Sequence, residues 1–443
     1  MRGIGIICEY NPFHKGHAYQ IAALREREPG AAVICVMSGA FVQRGEPALC
    51  SPYARAEAAV LCGADLVLSL PFPWSCAPAE LFARAGVSVL AAVGAEGLCF
   101  GTEGDCLPAL REAAVCLDAP ETEAAMRAAL ADPASAALGY PVLRDRVLTT
   151  RLGERGAALL RTPNNALAAE YLRACAALAP DMFPIAVPRV GSAHDSAVQT
   201  GAEDMKEEKG TKRAEGTGKT GETAAAADGV SADVTSSDGM SAFAVRSLLY
   251  AGREAEALSL LPEASAAVLK RELDAGRTVT DTKTAAALLL SRLRTSSAEE
   301  LSACAGMSGG IAERLIAAAG EAVTLSDLFS RAATKKVTNA HLRRTAWHGF
   351  FGIRTDDMRA LPPFTVLLAA SPRGTEYLHS VKKRLPEGFS LLSVPSSHAD
   401  APDAVRRAFQ TDHAAASVQA MLYPSPVSPA ALIRMKPFFG GGE

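Results

Sequence analysis

The stretch Ile4-Gly5-Ile6-Ile7-Cys8-Glu9-Tyr10-Asn11-Pro12-Phe13-His14-Lys15-Gly16-His17 starts as a β-branched apolar run. It breaks at Glu9 and passes through Pro12 and Gly16 into a helical pattern over 17–27. The same alternation recurs downstream. Short apolar runs stand at 32–37, 66–70 and 98–100, and helical patterns at 52–62 and 79–93. Ser51-Pro52 reads as a helix N-cap followed by proline at the first helical position. Strands that alternate with helices imply βαβ units and a parallel sheet. In such sheets ligands sit beyond the carboxyl ends of the strands, which singles out the loops after Cys8, Met37, Leu70 and Phe100.

The first of these loops carries the chemistry. Gly16 lets backbone approach a ligand closely, and a helix start offers N–H groups and a positive dipole end, a natural cradle for phosphates. His14 and His17 can both face that cradle. Each imidazole can donate a hydrogen bond as negative charge builds on a leaving phosphate group, and neither need act as a nucleophile. The bland alternative is a pair of solvated loop or capping histidines; their place behind the first strand of a βαβ array favours the functional reading. Their spacing does not match His-Glu-x-x-His and the remaining histidines are scattered, so no metal site is expected.

With 443 residues the chain has room for two or three domains. A net charge of −3 gives no polyanion-binding field over the whole molecule, so any nucleic-acid surface must be local. Ten cysteines are present without a Cys-x-x-Cys pair, and Cys8, Cys35 and Cys99 lie in apolar runs, as reduced thiols do. The amino-terminal apolar run is too short for a signal peptide, and no run approaches the roughly 18 residues of a membrane span. A soluble, cytoplasmic protein with no membrane partner and no obligate protein partner is expected.

Four regions follow from the pattern. Residues 1–196 contain the strand–helix alternation, an alanine-rich helical stretch with a helix opening at Thr162-Pro163, and a strand-like run at 183–190. Residues 197–240 contain no aromatic residue, Leu or Ile and read as a disordered insertion. Residues 241–355 are helical, and 356–443 read as a small α/β module with a strand at 364–369 and helices near 375–384 and 403–409. The expected fold is therefore α/β: a Rossmann-like parallel-sheet domain, a mostly helical region and a small C-terminal α/β module.

Within the helical region, 331–354 holds Arg331, Lys335, Lys336, Arg343, Arg344 and Arg354 and no acidic residue. His341, Trp347, His348, Phe350 and Phe351 are interleaved. Phosphate contacts and base stacking would use such a run; equally, Leu342, Trp347 and Phe350 can face a core while the charges face water.

Taken together, Glu9 to His17 resembles the signature of the bacterial tRNA(Met) cytidine acetate ligase family, among the His-x-Gly-His nucleotidyltransferases. Val36-Met37-Ser38-Gly39-Ala40-Phe41-Val42-Gln43-Arg44-Gly45-Glu46-Pro47, Asp65 to Pro71, Cys99-Phe100-Gly101-Thr102-Glu103, Pro163-Asn164-Asn165, Arg189-Val190-Gly191 and His194-Asp195 extend the likeness. The resemblance implies an ATP-dependent ligase that forms a carbon–nitrogen bond. It would make acetyl-adenylate from acetate and ATP, the latter as a magnesium complex, and acetylate the wobble cytidine of elongator tRNA(Met) to 4-acetylcytidine. It implies His14 and His17 as catalytic residues. The ATP site would be Ile7, Cys8, Glu9, Tyr10, Asn11, Pro12, Phe13, His14, Lys15, Gly16, His17, Ala18, Tyr19, Gln20, Gly101, Arg189 and one of Asn164 and Asn165, with Asn164 favoured. Lys335, Lys336, Arg343 and Arg344 would contact RNA. At Ser241-Ala242-Phe243-Ala244-Val245-Arg246 the chain departs from the pattern at Phe243, where a hydroxyl residue is usual, while Ser241 and Arg246 remain, and the resemblance implies phosphate binding there. Two alternatives remain open at this point: a cofactor-precursor adenylyltransferase, which the long C-terminal half disfavours, and a non-catalytic RNA-binding protein, which the intact His14, Gly16 and His17 disfavour.

Overall fold

The computed structural model describes residues 1–135, 138–189, 241–334 and 336–441; the expected insertion at 197–240 and Lys335 lie outside the described residues. The expected alternation is present. Strands β1 (Gly3–Cys8), β2 (Ala32–Ser38), the short pair β3 (Phe41–Val42) and β4 (Glu46–Pro47), β5 (Leu66–Leu70), β6 (Gly97–Thr102) and β7 (Phe183–Pro188) alternate with helices. These are α1 (Lys15–Arg27), α2 (Pro52–Leu61) and α3 (Ala79–Ala92), then α4 to α7 (Leu107–Asp118, Pro120–Ala131, Tyr140–Leu159 and Pro163–Leu178) before β7. β1 pairs in parallel with β2 from Gly3↔Ala32 to Cys8↔Met37, and β2 with β5 from Ile34↔Leu66 to Ser38↔Leu70. β6 and β7 continue the parallel sheet on the other side of β1. Strands β2 and β5 are buried on both faces, which is why they read as unbroken apolar runs. The α2 start is as expected: the Ser51 hydroxyl accepts from Ala54 N at 3.2 Å, with Pro52 in the first turn.

The C-terminal α/β segment builds onto this sheet. Its strand β8 (Phe364–Ala370) runs antiparallel to β5, with β9 (Ser390–Leu392) and β10 (Phe438–Phe439) parallel to β8, giving the order β10-β8-β5-β2-β1-β6-β7. Without β8, the fully buried β5 would be an exposed edge. The join is specific. Ser371 donates to the Asp65 carboxylate at 2.9 Å, and at Gly374 any Cβ would run into the Asp65 carbonyl.

The helices after residue 241 close over the carboxyl ends of the strands. Ser265 donates to the Phe13 carbonyl at 2.8 Å, Val279 N to the Leu49 carbonyl at 2.7 Å, and His348 Nε2 to the Cys76 carbonyl at 2.9 Å. The long helix Asp403–Met421 does the same from the C-terminal side, where Asp412 accepts from Phe72 N at 2.7 Å and Gln419 donates to the Ala48 and Cys50 carbonyls.

Burial raises the Asp412 carboxyl from its ordinary 3.8 to about 7. The native state therefore holds this proton through a range where the unfolded chain has lost it. The resulting stability is present below the unfolded value and is lost as pH rises through about 7. Asp412→Asn keeps an acceptor for Phe72 N and removes the titration. Thermal melts should show the variant gaining on the wild type between pH 4 and 8 by up to about 4 kcal/mol. Parallel pH profiles for the two proteins would refute the assignment.

Candidate active site

His14 caps α1, and its ring is what turns the loop into a site. Its Nδ1 accepts from Gly16 N at 3.0 Å, while His17 Nδ1 accepts from His14 N at 3.2 Å, a reciprocal capping box built from two imidazoles. With both Nδ1 atoms acting as acceptors, both protons sit on Nε2. The rings lie 3.7 Å apart between centroids. Burial, followed by the charges of Arg189 and Arg246, lowers His14 to about 4. His17 is pushed down by burial and then by His14 and Arg189. The pair is thus neutral at physiological pH and presents two Nε2–H donors.

This refines the sequence expectation of a bare helix start. Gly16 N is engaged by the His14 ring, and His17 N by the His14 carbonyl at 2.9 Å. Of the three, only Lys15 N is left without a bond inside the turn. The donors aimed at a ligand are chiefly imidazole N–H groups, reinforced by the dipole of the 13-residue α1.

The rest of the 7–20 stretch divides by burial. Ile7, Tyr10, Pro12 and Phe13 are buried, and Tyr10 and Phe13 pack on the His17 ring at 4.7 and 5.5 Å. Tyr10 takes a positive φ of 44° to make the turn. These residues set the loop's shape. Asn11 is buried too; its Oδ1 accepts from Leu49 N at 2.7 Å, and its Nδ2 is buried with no partner among the described residues. Cys8 and Gln20 are half-buried beneath the loop, where the Gln20 amide meets Cys99 Sγ at 3.8 Å. Glu9 accepts from Gln43 N at 2.9 Å, and burial raises its pKa. Lys15 and Tyr19 are exposed; Ala18 is half-buried.

Across the sheet, Gly101, Asn164 and Arg189 converge on Glu103. Asn164 Nδ2 donates to Glu103 Oε1 at 2.5 Å, and Arg189 stands 3.5 Å from the same oxygen. Asn165 is 1% exposed and accepts from Glu103 N at 2.9 Å, so it holds the backbone, while Asn164 faces the charged cluster. A Cβ at Gly101 would meet only ordinary contacts, the nearest 3.6 Å away on Arg189. Nothing inside the chain demands glycine there.

Two further residues shape the site, of which Arg55 was not in the expected set. Arg55, 2% exposed, donates to the carbonyls of Cys50 (3.2 Å), Glu9 (2.6 Å), Ser38 (3.0 Å) and Gly39. No carboxylate among the described residues pairs with it, so a positive charge is fixed under the loops that follow β1 and β2. In sequence it looks like one more helical arginine, and no local signal marks it. Arg246 reaches from the helix Ala242–Tyr250 to the Asn11 carbonyl at 2.7 Å and to Glu46 at 3.4 Å. The Ser241 hydroxyl caps that helix by accepting from Ala244 N, whereas Phe243 is 63% exposed and takes no part in the cap.

The basic run 331–354 is largely structural. Arg331 pairs with Glu321 and Asp327. Arg344 is 9% exposed and donates to the Gln43 carbonyl at 3.2 Å, which corrects its expected place on an RNA-facing surface: its charge is turned inward as a strut. Trp347 and His348 are buried, and Phe351 packs with Phe41 and Phe72, so these rings are core and not stacking platforms. Lys336 is exposed, and Arg343 is half-exposed and paired with Glu46. Among the described residues no three His, Cys, Asp or Glu side chains gather to hold a metal ion, and no helix is long and apolar enough to cross a membrane.

Comparisons with known proteins place the chain in a family. A family model described as HIGH Nucleotidyl Transferase matches residues 1–205 and 225–431. The tRNA(Met) cytidine acetate ligase of Syntrophotalea carbinolica is 33% identical over 390 residues, 87% of this chain and 83% of the relative. That of Bacillus velezensis is 30% identical over 394 residues, covering 87% and 86%. Thermotoga maritima TmcAL shares the fold, with TM-scores of 0.83 for the apo form and 0.82 for the form bound with alpha-thio ATP. Its identity is 24% and 23%, with both chains covered in full. The chain is a ligase of the HIGH nucleotidyl transferase family and belongs, within it, to the tRNA(Met) cytidine acetate ligases.

Proposed function

We propose that the chain condenses acetate with ATP and passes the acetyl group to the wobble cytidine of elongator tRNA(Met). An acetate oxygen attacks the α-phosphorus, and the bond to pyrophosphate breaks. The exocyclic amine of the cytidine then attacks the acetyl carbon, AMP leaves and the amine loses a proton, giving 4-acetylcytidine. The observation that carries this reading is the pair of neutral imidazoles whose Nε2–H groups share one helix start while the charge of Arg189 reaches both rings. Such donors are fixed in advance where charge builds on the leaving pyrophosphate.

Asn164 and Gly101 are placed to take the ribose or base. When ATP arrives, its phosphates compete with Glu103 for Arg189, a guanidinium suited to bidentate phosphate contact. A magnesium ion would be carried by the phosphates themselves, and no residue is assigned to it. Lys336 and Arg343 are the candidate tRNA contacts that face solvent, with Lys335 beside them in sequence. A tRNA substrate and ten free cysteines fit a cytoplasmic setting.

The test is mass spectrometry of tRNA nucleosides after incubation with ATP and acetate, beside an assay of pyrophosphate release. The expected outcome is 4-acetylcytidine at the wobble position and release with acetate alone. Release that instead requires a cofactor precursor would assign the chain to a different adenylyl transfer.

A further inference from the structure

The hairpin β3–β4 lies between the helix Asn339–Phe351 and the loop 9–17 and is bonded to both. On the helix side, Gly45 takes a φ of +79° and sits flush against the backbone at Arg343 and Arg344, where a Cβ would collide. Arg344 donates to the Gln43 carbonyl, and Arg343 pairs with Glu46 Oε1. On the loop side, Gln43 N donates to the Glu9 carboxylate at 2.9 Å. Glu46 Oε2 stands 3.4 Å from Arg246, whose Nη1 holds the Asn11 carbonyl at 2.7 Å. One carboxylate is thus divided between two arginines. Arg343 is 39% exposed at its side chain; Arg246, at 14%, grips the loop. Between Gln43 and Gly45, Arg44 is exposed and forms no ion pair among the described residues, yet its charge is felt at Glu9.

We propose that this hairpin couples RNA binding to the nucleotide loop: Arg44 and Arg343 take RNA backbone phosphates, and Glu46, released from Arg343, tightens on Arg246 and through it on Asn11. The proposal rests on the reading of the chain as an enzyme that uses ATP and tRNA. A half-exposed ion pair is weak, whereas a nucleic-acid phosphate binds an arginine with release of condensed counterions. RNA can therefore displace Glu46 from Arg343. Arg246 has no such competitor at the surface and receives the whole carboxylate. Because the effect is an equilibrium coupling, it runs both ways: RNA tightens ATP binding, and ATP tightens RNA binding by the same factor.

The experiment is equilibrium binding of α,β-methylene ATP to the full chain, with and without a saturating transcript of elongator tRNA(Met). In the wild type the transcript should lower the Kd of the analogue about fivefold or more. Glu46→Gln should bring that factor close to one while the transcript still binds. Arg343→Gln breaks the link from the other side and leaves Glu46 on Arg246. It should bind the analogue without RNA as tightly as the wild type does with it. Arg44→Ala should weaken transcript binding severalfold and make it less salt-dependent. A factor of one in the wild type, an undiminished factor in Glu46→Gln, or Arg343→Gln binding the analogue as weakly as RNA-free wild type would each overturn the proposal. A wild type that binds neither the analogue nor the transcript would overturn the underlying reading, and the coupling with it.

Discussion

Replacing His14 or His17 with a residue that lacks the Nε2–H should lower acetate-dependent pyrophosphate release by roughly a hundred- to a thousandfold. Each ring does two jobs, and the substitutions separate them. His14 Nδ1 caps Gly16 N, so His14→Ala also removes a helix cap, at about 1 kcal/mol of stability. Asparagine at 14 can restore the cap through its side-chain oxygen but puts no donor where Nε2–H stood. His14→Asn should therefore melt close to the wild type and remain as inactive as His14→Ala. If His14→Asn recovers most of the activity, the ring serves the helix and not the phosphate. His14 is lowered to about 4, so both rings stay neutral across pH 6–8 and should add no titration to the rate there. Their linkage has the opposite sign to that of Asp412. As pH falls from the ordinary imidazole value of 6.5 to about 4, the unfolded chain takes up a proton that native His14 refuses. The neutral pair thus favours folding above that window and costs stability as pH drops through it.

Arg55→Met should cost on the order of 3 kcal/mol of folding stability or more, among the largest effects available outside the hydrophobic core. The guanidinium satisfies four carbonyls at once, at Glu9, Ser38, Gly39 and Cys50. Methionine fills much of the volume but leaves those oxygens buried without donors, and a buried group stripped of its partner bears its full desolvation penalty. Arg55→Lys should recover little, because one ammonium cannot reach the three separate chain segments that the planar fork spans. Denaturant unfolding of the three proteins tests this. A lysine variant as stable as the wild type would mean that charge alone matters and the fork geometry does not. Since Glu9 opens the loop proposed to receive ATP, both variants should also bind ATP more weakly than the wild type under conditions where they remain folded.

Much of the sheet was legible because its buried parallel strands are mostly apolar and helices stand between them. The runs at 32–37, 66–70 and 98–100 became β2, β5 and β6 within a few residues. The loop 9–17 was legible for a similar reason: strand, turn glycine, paired histidines and helix start are contiguous, so their mutual geometry is local. The choice between Asn164 and Asn165 was not. Adjacent residues in the first turn of a helix point in different directions, and only the position of Glu103 shows that one is buried and the other faces the site. The basic run misled because composition records charge without direction. On a helix wedged against β3–β4, Arg344 points inward, and the rings suited to stacking on bases fill the core instead.

By itself the sequence determined the parallel αβ core, the strand–loop–helix order around His14 and His17, and the family, all of them products of short-range order along the chain. Tertiary structure decided what depends on partners hundreds of residues apart. It put β8 rather than solvent beside β5, four carbonyls around Arg55, and Glu46 between Arg246 and Arg343. No local pattern encodes such contacts, because a buried arginine and a solvated one have the same neighbours in sequence. They differ only in where folding takes the carbonyls and carboxylates that must satisfy them.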